Sequence, residues 1–262
     1  MVGGLLQYRS FIWRHARADL RHRYAGTGMG VAWNIIHPLA VITIYSIVFT
    51  QIFKSGSVAS GSGKLPYTFF LCSGFFPWIA FSDCVTRGCN SFLSNATFLK
   101  KLPIPEQVFV AQNAAASTLS LSINFVLLLA IALCLGWTPG WTWLLLPIPI
   151  VLLQSLGFGI GLLLGTLNVF FRDIAEWVGI SMQLVMWTVP IVYRKEILPD
   201  IALKVLAWHP LMPALESIRT LFLDRTLPPT HDWIMMVCWP LGISALAYAA
   251  LRKLRPEIRD VI

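Results

Sequence analysis

Two stretches, FFRDI at residues 170–174 and MQLVMWTVPIVY at residues 182–193, decide how this chain is organised. A charged Arg-Asp turn lies between segments that are each apolar enough to enter a membrane. A proline and a tyrosine close the second segment, and a charged, proline-rich stretch follows it. The pattern indicates a protein that works across a lipid bilayer.

Composition supports the same conclusion for the whole chain. Of its 262 residues 56% are hydrophobic and 12% are charged, and the mean hydropathy is +0.70. A soluble domain carries about 25% charged residues and could not cover its surface with this sequence. Apolar runs of roughly 20 residues predict a polytopic, all-α membrane protein forming one transmembrane domain over residues 1–262.

The apolar runs predict six transmembrane helices. We expect them near residues 30–53, 67–87, 107–135, 143–170, 175–193 and 233–251. With the amino terminus inside, most of the 20 Lys and Arg residues fall in the inner segments. The positive-inside rule then predicts a multi-pass protein with both termini in the cytoplasm.

The first part of the chain, residues 4–24, has the pattern of an amphipathic helix. Apolar residues recur at every fourth position, and arginines line another face. A basic amphipathic helix of this kind is expected to lie in the membrane interface.

Three connecting segments have distinct compositions. The cytoplasmic segment 88–105 is long and polar enough for a short helix. The outer segment 55–64 is rich in glycine and serine and predicts a mobile loop. The last outer segment, 194–232, contains two short apolar helical stretches, 201–208 and 212–223, which predict a re-entrant or interfacial hairpin at the outer face.

Several polar or small-residue patterns have alternative interpretations. A glycine stripe at Gly157, Gly161 and Gly165 favours close helix packing within one chain over a dimer interface. Polar residues on the third span form either interhelical hydrogen bonds or a wet path, and these are Asn113, Ser117, Ser120 and Asn124. The pair Asp83–Arg87 has the spacing of a structural ion pair.

No pattern of catalytic chemistry is present. The segment GSGK at 61–64 lacks the first glycine and the final Ser or Thr of a phosphate loop. Neither a nucleophile elbow nor metal-ligand spacing occurs, so we predict no catalytic residue, no metal site and no cofactor in this chain. The positive charge follows membrane topology and does not indicate nucleic acid.

Taken together, seven segments resemble the permease subunit of ABC exporters for bacterial cell-surface polysaccharide, most closely the O-antigen lipopolysaccharide exporters. They are DLRHRY (19–24), GVAW (30–33), which is followed by Pro38, SGFFPW (73–78), LPIP (102–105), LNVFFRDI (167–174), PIVY (190–193) and PLMP (210–213). His209 departs from the pattern, because the family usually has Asn before this proline.

The resemblance implies a homodimer in the bacterial inner membrane with a channel between the subunits. It implies two copies of a separate ATP-binding ABC subunit, which carry ATP and Mg²⁺, and a polysaccharide linked to undecaprenyl diphosphate. Segment 88–105 then resembles a coupling helix seated in the ATPase, and segment 194–232 a periplasmic gating hairpin.

These implications assign candidate roles to individual residues. The substrate-binding candidates at the inner surface and along the channel are Arg21, Arg23, Tyr24, Tyr45, Phe49, Trp187 and Tyr193. The candidates for ATPase coupling are Asn90, Ser94, Asn95, Lys100 and Lys101.

Other functions compete with this hypothesis. The nearest are permeases for capsular polysaccharide, teichoic acid or another lipid or drug. A proton-coupled carrier would need buried titratable residues, and the pair Asp83–Arg87 is the main candidate. A polyprenyl-phosphate glycosyltransferase would need membrane-facing acids, for which Asp173 and Glu176 are the nearest pair.

Overall fold

The computed structural model describes residues 2–23, 26–48, 57–60, 63–101 and 103–261. Within these ranges the regular elements are helices, apart from one short antiparallel hairpin. The helices are α1 (Val2–Gln7), α2 (Arg9–His22), α3 (Trp33–Ile47), α4 (Tyr67–Ser94), α5 (Ala96–Lys101), α6 (Gln107–Cys134), α7 (Pro147–Asn168), α8 (Asp173–Thr188), α9 (Asp200–Leu206), α10 (Met212–Arg219) and α11 (Thr230–Val261). The strands are β1 (Ser57–Ser60) and β2 (Gly63–Pro66).

Four of the described helices, α4, α6, α7 and α11, are long and apolar enough to cross a membrane. They confirm the second, third, fourth and sixth predicted spans as helices. Each has at least 22 residues, and a helix needs about 20 residues to cross the hydrocarbon core.

The other two predicted spans are shorter in the structure. Helix α8 has 16 residues and ends at Thr188, because the chain turns at Val189 and Pro190. Helix α3 has 15 residues, and the rest of the predicted first span, residues 49–53, lies outside the described residues. The prediction of six full-length spans is therefore confirmed for four helices.

Helix α4 is the centre of the bundle and packs closely against α7 through glycines. A Cβ atom built on Gly88 would lie 2.8 Å from the Cα of Gly161, and one built on Gly165 would lie 2.7 Å from the carbonyl oxygen of Gly88. The two backbones are in contact because neither helix carries a side chain there. The predicted glycine stripe therefore packs within the chain.

The bundle has two distinct ends. The α2 end joins α1 and α2 to the start of α6 and the end of α11. There Tyr8 packs in a cluster with Val108 and Leu251. At the opposite end, which we call the hairpin end, the start of α4 packs against the segment from α10 to residue 223, for example Phe69 against Phe222.

Several predicted boundaries change. Helix α4 continues through Ser94, so the polar connection predicted at 88–105 begins at Asn95 and contains the short helix α5. The predicted outer loop contains the β1–β2 hairpin, in which Val58 pairs with Leu65. The two predicted short helices of segment 194–232 are present as α9 and α10, followed by a π-helical turn over Thr220–Asp224.

Candidate functional site

Four charged side chains form a closed ring at the α2 end, which we call the charge ring: Asp19, Arg23, Asp83 and Arg87. Arg87 donates from both terminal nitrogens to the two carboxylate oxygens of Asp19, at 2.8 and 2.7 Å. Arg23 donates to Asp19 at 3.1 Å and to Asp83 at 2.8 Å. Asp83 and Arg87 are 3.7 Å apart and close the ring.

The charge ring joins three helices. Asp19 lies in α2 and Arg23 directly follows that helix, whereas Asp83 and Arg87 lie one turn apart in α4. Helix α6 adds the Ser117 hydroxyl, which donates to Asp83 at 2.6 Å, and the Asn113 amide, which exchanges hydrogen bonds with Arg87. Asn113 and Ser117 therefore form interhelical hydrogen bonds.

The charge ring shifts the pKa of Asp19. Each member is about 30% exposed, and positive and negative charges balance. Burial raises the pKa of Asp19, but the hydrogen bonds and charges of Arg87 and Arg23 outweigh burial and hold that pKa below its ordinary value. Such an arrangement fixes α2 against the bundle and does not resemble a proton relay.

This geometry separates the residues predicted to bind the substrate head group. Arg23 is engaged by two carboxylates, so it serves to position α2. Arg21 lies exposed on α2. Tyr24 lies outside the described residues.

The predicted channel residues lie on or near two helices whose apolar faces point outward. On α8 one residue of 16, Val178, is buried, and Trp187 is 59% exposed. On α3 Tyr45 is half-buried and its ring meets the ring of Phe75 edge-on at 5.3 Å. Phe49 lies outside the described residues. The Tyr193 hydroxyl donates to the carbonyl oxygens of Trp187 and Thr188 and holds the end of α8.

A buried arginine that the sequence analysis missed supports the turn after α8. Arg219 is 5% exposed and donates to the carbonyl oxygens of Pro190 and Ile191, each at 2.8 Å. Its guanidinium lies 4.1 Å from the Phe70 ring centroid. A Cβ on Gly74 would lie 2.6 Å from this guanidinium, so Gly74 provides the space that Arg219 occupies. An arginine within the mainly apolar segment 212–223 was the available signal.

The hairpin end also contains a cavity of about 330 Å³ with several charged residues in its wall, bounded by α9, α10 and the start of α11. Lys195 donates to Glu216 at its edge, at 2.8 Å, and His231 and Asp232 line its far side. Next to α9, the Nδ1 atom of His209 accepts a hydrogen bond from the Leu211 backbone N–H at 3.3 Å. Burial lowers the pKa of His209.

The predicted ATPase-coupling residues lie together at the α2 end, although not in one loop. Asn90 and Ser94 belong to the last turns of α4, where each side chain bonds a backbone carbonyl four residues earlier. Asn95 joins α4 to α5, and Lys100 and Lys101 are exposed at the end of α5.

An ion pair fixes the neighbouring segment. Buried Glu106, just before α6, pairs with Arg255 of α11 at 3.0 Å. The described residues contain no group of three His, Cys, Asp or Glu side chains arranged to hold a metal ion.

Comparison with known proteins gives consistent matches. The sequence model of the family described as ABC-2 type transporter matches residues 7–223. Two Klebsiella pneumoniae proteins named O-antigen export system permease protein RfbA are 29% and 30% identical to the chain, over 93% of its length and 92% of theirs. A Myxococcus xanthus protein of the same name is 24% identical, over 100% of the chain and 99% of its own length.

Proposed function

The chain belongs to the ABC-2 type transporter family, and from this premise we propose that it is the transmembrane subunit of an ATP-driven polysaccharide exporter. Its substrate is an O-antigen-type glycan linked to undecaprenyl diphosphate, moved from the cytoplasm to the periplasm. The observation that supports this proposal most strongly is the similarity to O-antigen export permeases, which extends over 93% of this chain and 92% of the relatives.

The outward apolar faces of α3 and α8 form the proposed translocation surface. Ile44 of α3 and Leu184 of α8 are 56% and 64% exposed, so the described residues leave these faces largely uncovered. In a homodimer they meet their counterparts across a channel. Aromatic rings in this channel then offer faces on which sugar rings stack without being bound tightly. The rings are those of Tyr45, Phe49, Trp187 and Tyr193.

The substrate head group is proposed to meet the protein beside the charge ring. Arg21 and Tyr24 contact the diphosphate, since a guanidinium pairs with phosphate in a fork geometry. Arg23, held by Asp19 and Asp83, keeps this part of the chain in place.

We propose that two ATP-binding subunits, which carry ATP and Mg²⁺, drive transport by hydrolysing ATP. Their docking surface is α5 with the end of α4. Asn90, Ser94 and Asn95 shape it, and Lys100 and Lys101 supply positive charge. The rigid contact of α4 with α7 then carries the movement of α5 into the bundle.

Co-purification with an ABC ATPase of the same organism tests the proposal. We expect a complex of two copies of each subunit that hydrolyses ATP in lipid nanodiscs. The double variant Lys100→Glu/Lys101→Glu should weaken the complex. Its matched control, Arg252→Glu at an exposed position of α11, should not. A chain that purifies alone and binds no ATPase would contradict the proposal.

A further inference from the structure

An apolar crevice runs between α6 and α7 on a face of the bundle that the proposed function does not use. It contains cavities of about 360 Å³ and about 180 Å³, which share Thr118 and Val151 in their walls. Leu5 and Trp13 close one end, and Trp143 closes the other. We call this feature the α6–α7 crevice.

The wall of the larger cavity suits a hydrocarbon chain. Helix α6 presents the small side chains of Ala111, Ala114 and Ala115, which leave space beside the helix. The Thr118 hydroxyl donates to the Ala114 carbonyl oxygen at 2.7 Å, and the Ser155 hydroxyl donates to the Val151 carbonyl oxygen at 2.8 Å. The wall hydroxyls therefore require no external acceptor.

The α2 end of the crevice carries positive charge. Trp13 is part of the cavity wall, and the guanidinium of Arg17 lies 4.9 Å from its ring centroid. Arg14 and Arg17 are both exposed, and neither pairs with a carboxylate in the part of the chain that the structure describes. An anion at this mouth would meet the Arg17 guanidinium beside an aromatic ring that is typical of the membrane interface, and Arg14 lies about one helical turn from Arg17.

One polar group in the wall requires a partner. Gln154 is 3% exposed, and both atoms of its side-chain amide lack a hydrogen-bond partner among the described residues. Its backbone oxygen contacts the Cys84 sulfur at 4.0 Å, and the neighbouring Asp83 binds Arg23 beside α2. Gln154 and Trp13 of α2 also line the same cavity, so the amide lies near α2. A buried donor without a partner is unfavourable, and a hydrogen bond from the Gln154 Nε2 to an ester carbonyl would satisfy this donor.

We infer that the α6–α7 crevice binds one anionic glycerophospholipid. Its phosphate lies at Arg14 and Arg17, an ester carbonyl accepts from the Gln154 amide, and an acyl chain fills the larger cavity. The three features together distinguish this occupant from a plain hydrocarbon, which leaves the Gln154 Nε2 donor unpaired, and from a protein helix, which would not supply the phosphate. The site does not depend on the export function.

Native mass spectrometry of the full-length protein tests this inference. The protein is released from nanodiscs that contain equal amounts of phosphatidylglycerol and phosphatidylethanolamine. We expect a retained phosphatidylglycerol adduct. Retention should fall by about tenfold in Ala115→Phe, which fills the cavity, and in Arg14→Gln/Arg17→Gln, which leaves the core untouched. Ala130→Phe, at an exposed position of the same helix, is the matched control.

Three outcomes would overturn the inference. Equal retention in Ala115→Phe and Ala130→Phe would place the lipid elsewhere. Preferential retention of added undecaprenyl phosphate over phosphatidylglycerol would make the crevice a substrate site. Loss of dimers together with unchanged lipid retention in Ala115→Phe would make it a protein interface. If Ala115→Phe does not fold, the arginine variant still decides, because its substitutions lie at exposed positions.

Discussion

Asp19 and Arg87, 68 positions apart in the chain, are joined by two parallel hydrogen bonds of 2.7 and 2.8 Å. The pair fastens the amphipathic α2 to the central helix α4. Two-point contact of this kind fixes orientation as well as position, since the planar guanidinium and the carboxylate must lie in one plane. Helix α2 is thus a fixed part of the bundle.

Removing the Asp19 charge should loosen α2. Asp19→Asn leaves two guanidinium groups, those of Arg23 and Arg87, beside the single carboxylate of Asp83, and we expect a loss of about 1–2 kcal/mol, discounted because the groups are partly exposed. The measurement is the thermal unfolding midpoint in detergent, together with the rate of tryptic cleavage within residues 9–23.

The matched control is Ser10→Ala, at an exposed position of the same helix and not a trypsin site, which should change neither quantity. In a double-mutant cycle the combination of Asp19→Asn with Arg87→Gln should cost less than the sum of the single variants. Strict additivity would mean that the two side chains are not coupled in the folded protein.

Adding one methyl group at the contact of α4 with α7 should destabilise the protein. Gly88→Ala places Cβ at 2.8 Å from a backbone atom of Gly161, so a helix must move. We expect destabilisation of about 1–3 kcal/mol. Gly179→Ala is the control, because no atom lies within 4 Å of its Cβ and alanine favours helix. Unfolding midpoints that fall equally in both variants would show that the α4–α7 contact is looser than described.

His209 should make the hairpin end sensitive to pH. Its neutral Nδ1 accepts the Leu211 N–H, and burial lowers the pKa of His209 below its ordinary value of about 6.5. The stabilising contribution is therefore complete above pH 6.5 and is lost as pH falls through the lower pKa of the folded state. The unfolding midpoint should drop between pH 7.5 and 5.5.

Asn supplies the same acceptor without titrating, so His209→Asn should keep its midpoint across this range. If both proteins respond identically to pH, another group is responsible.

Exposed rings on the proposed translocation surface should matter for export and not for folding. Trp187 is 59% exposed, so Trp187→Ala should assemble normally. We expect surface polysaccharide to fall by about tenfold, the effect of about 1.4 kcal/mol on a rate-limiting barrier. Trp141→Ala is the control, because Trp141 is 64% exposed at the hairpin end and away from α8. Quantified surface glycan that is equal in both variants would count against the ring-lined channel.

The sequence was informative wherever a single local property sets the structure. Long apolar runs predicted α4, α6, α7 and α11, since length and hydropathy alone determine whether a helix spans. The glycine stripe on α7 predicted close packing for a similar reason. Segment 175–193 was predicted too long, because its apolar character continues past Pro190 whereas the backbone turns at Val189.

The partners within the charge ring could not be predicted from spacing. Asp19–Arg23 and Asp83–Arg87 each look like an i,i+4 pair on one helix, and the sequence contains nothing that couples them. The strong bonds instead cross between helices, from Arg87 to Asp19 and from Arg23 to Asp83. The role of Arg219 was missed for the same reason, because the carbonyls it binds lie 28 and 29 positions earlier.

The location of the lipid-linked glycan in cells that lack this protein tests the central proposal most directly. In a deletion strain that keeps the ATPase, we expect the glycan to accumulate on undecaprenyl diphosphate at the cytoplasmic face, inaccessible to a lectin added to spheroplasts. Restoring the chain should return the glycan to the outside, and a partner ATPase that cannot hydrolyse ATP should abolish the rescue. Lectin-accessible glycan in the deletion strain, at the level of the parent, would contradict a role in polysaccharide export.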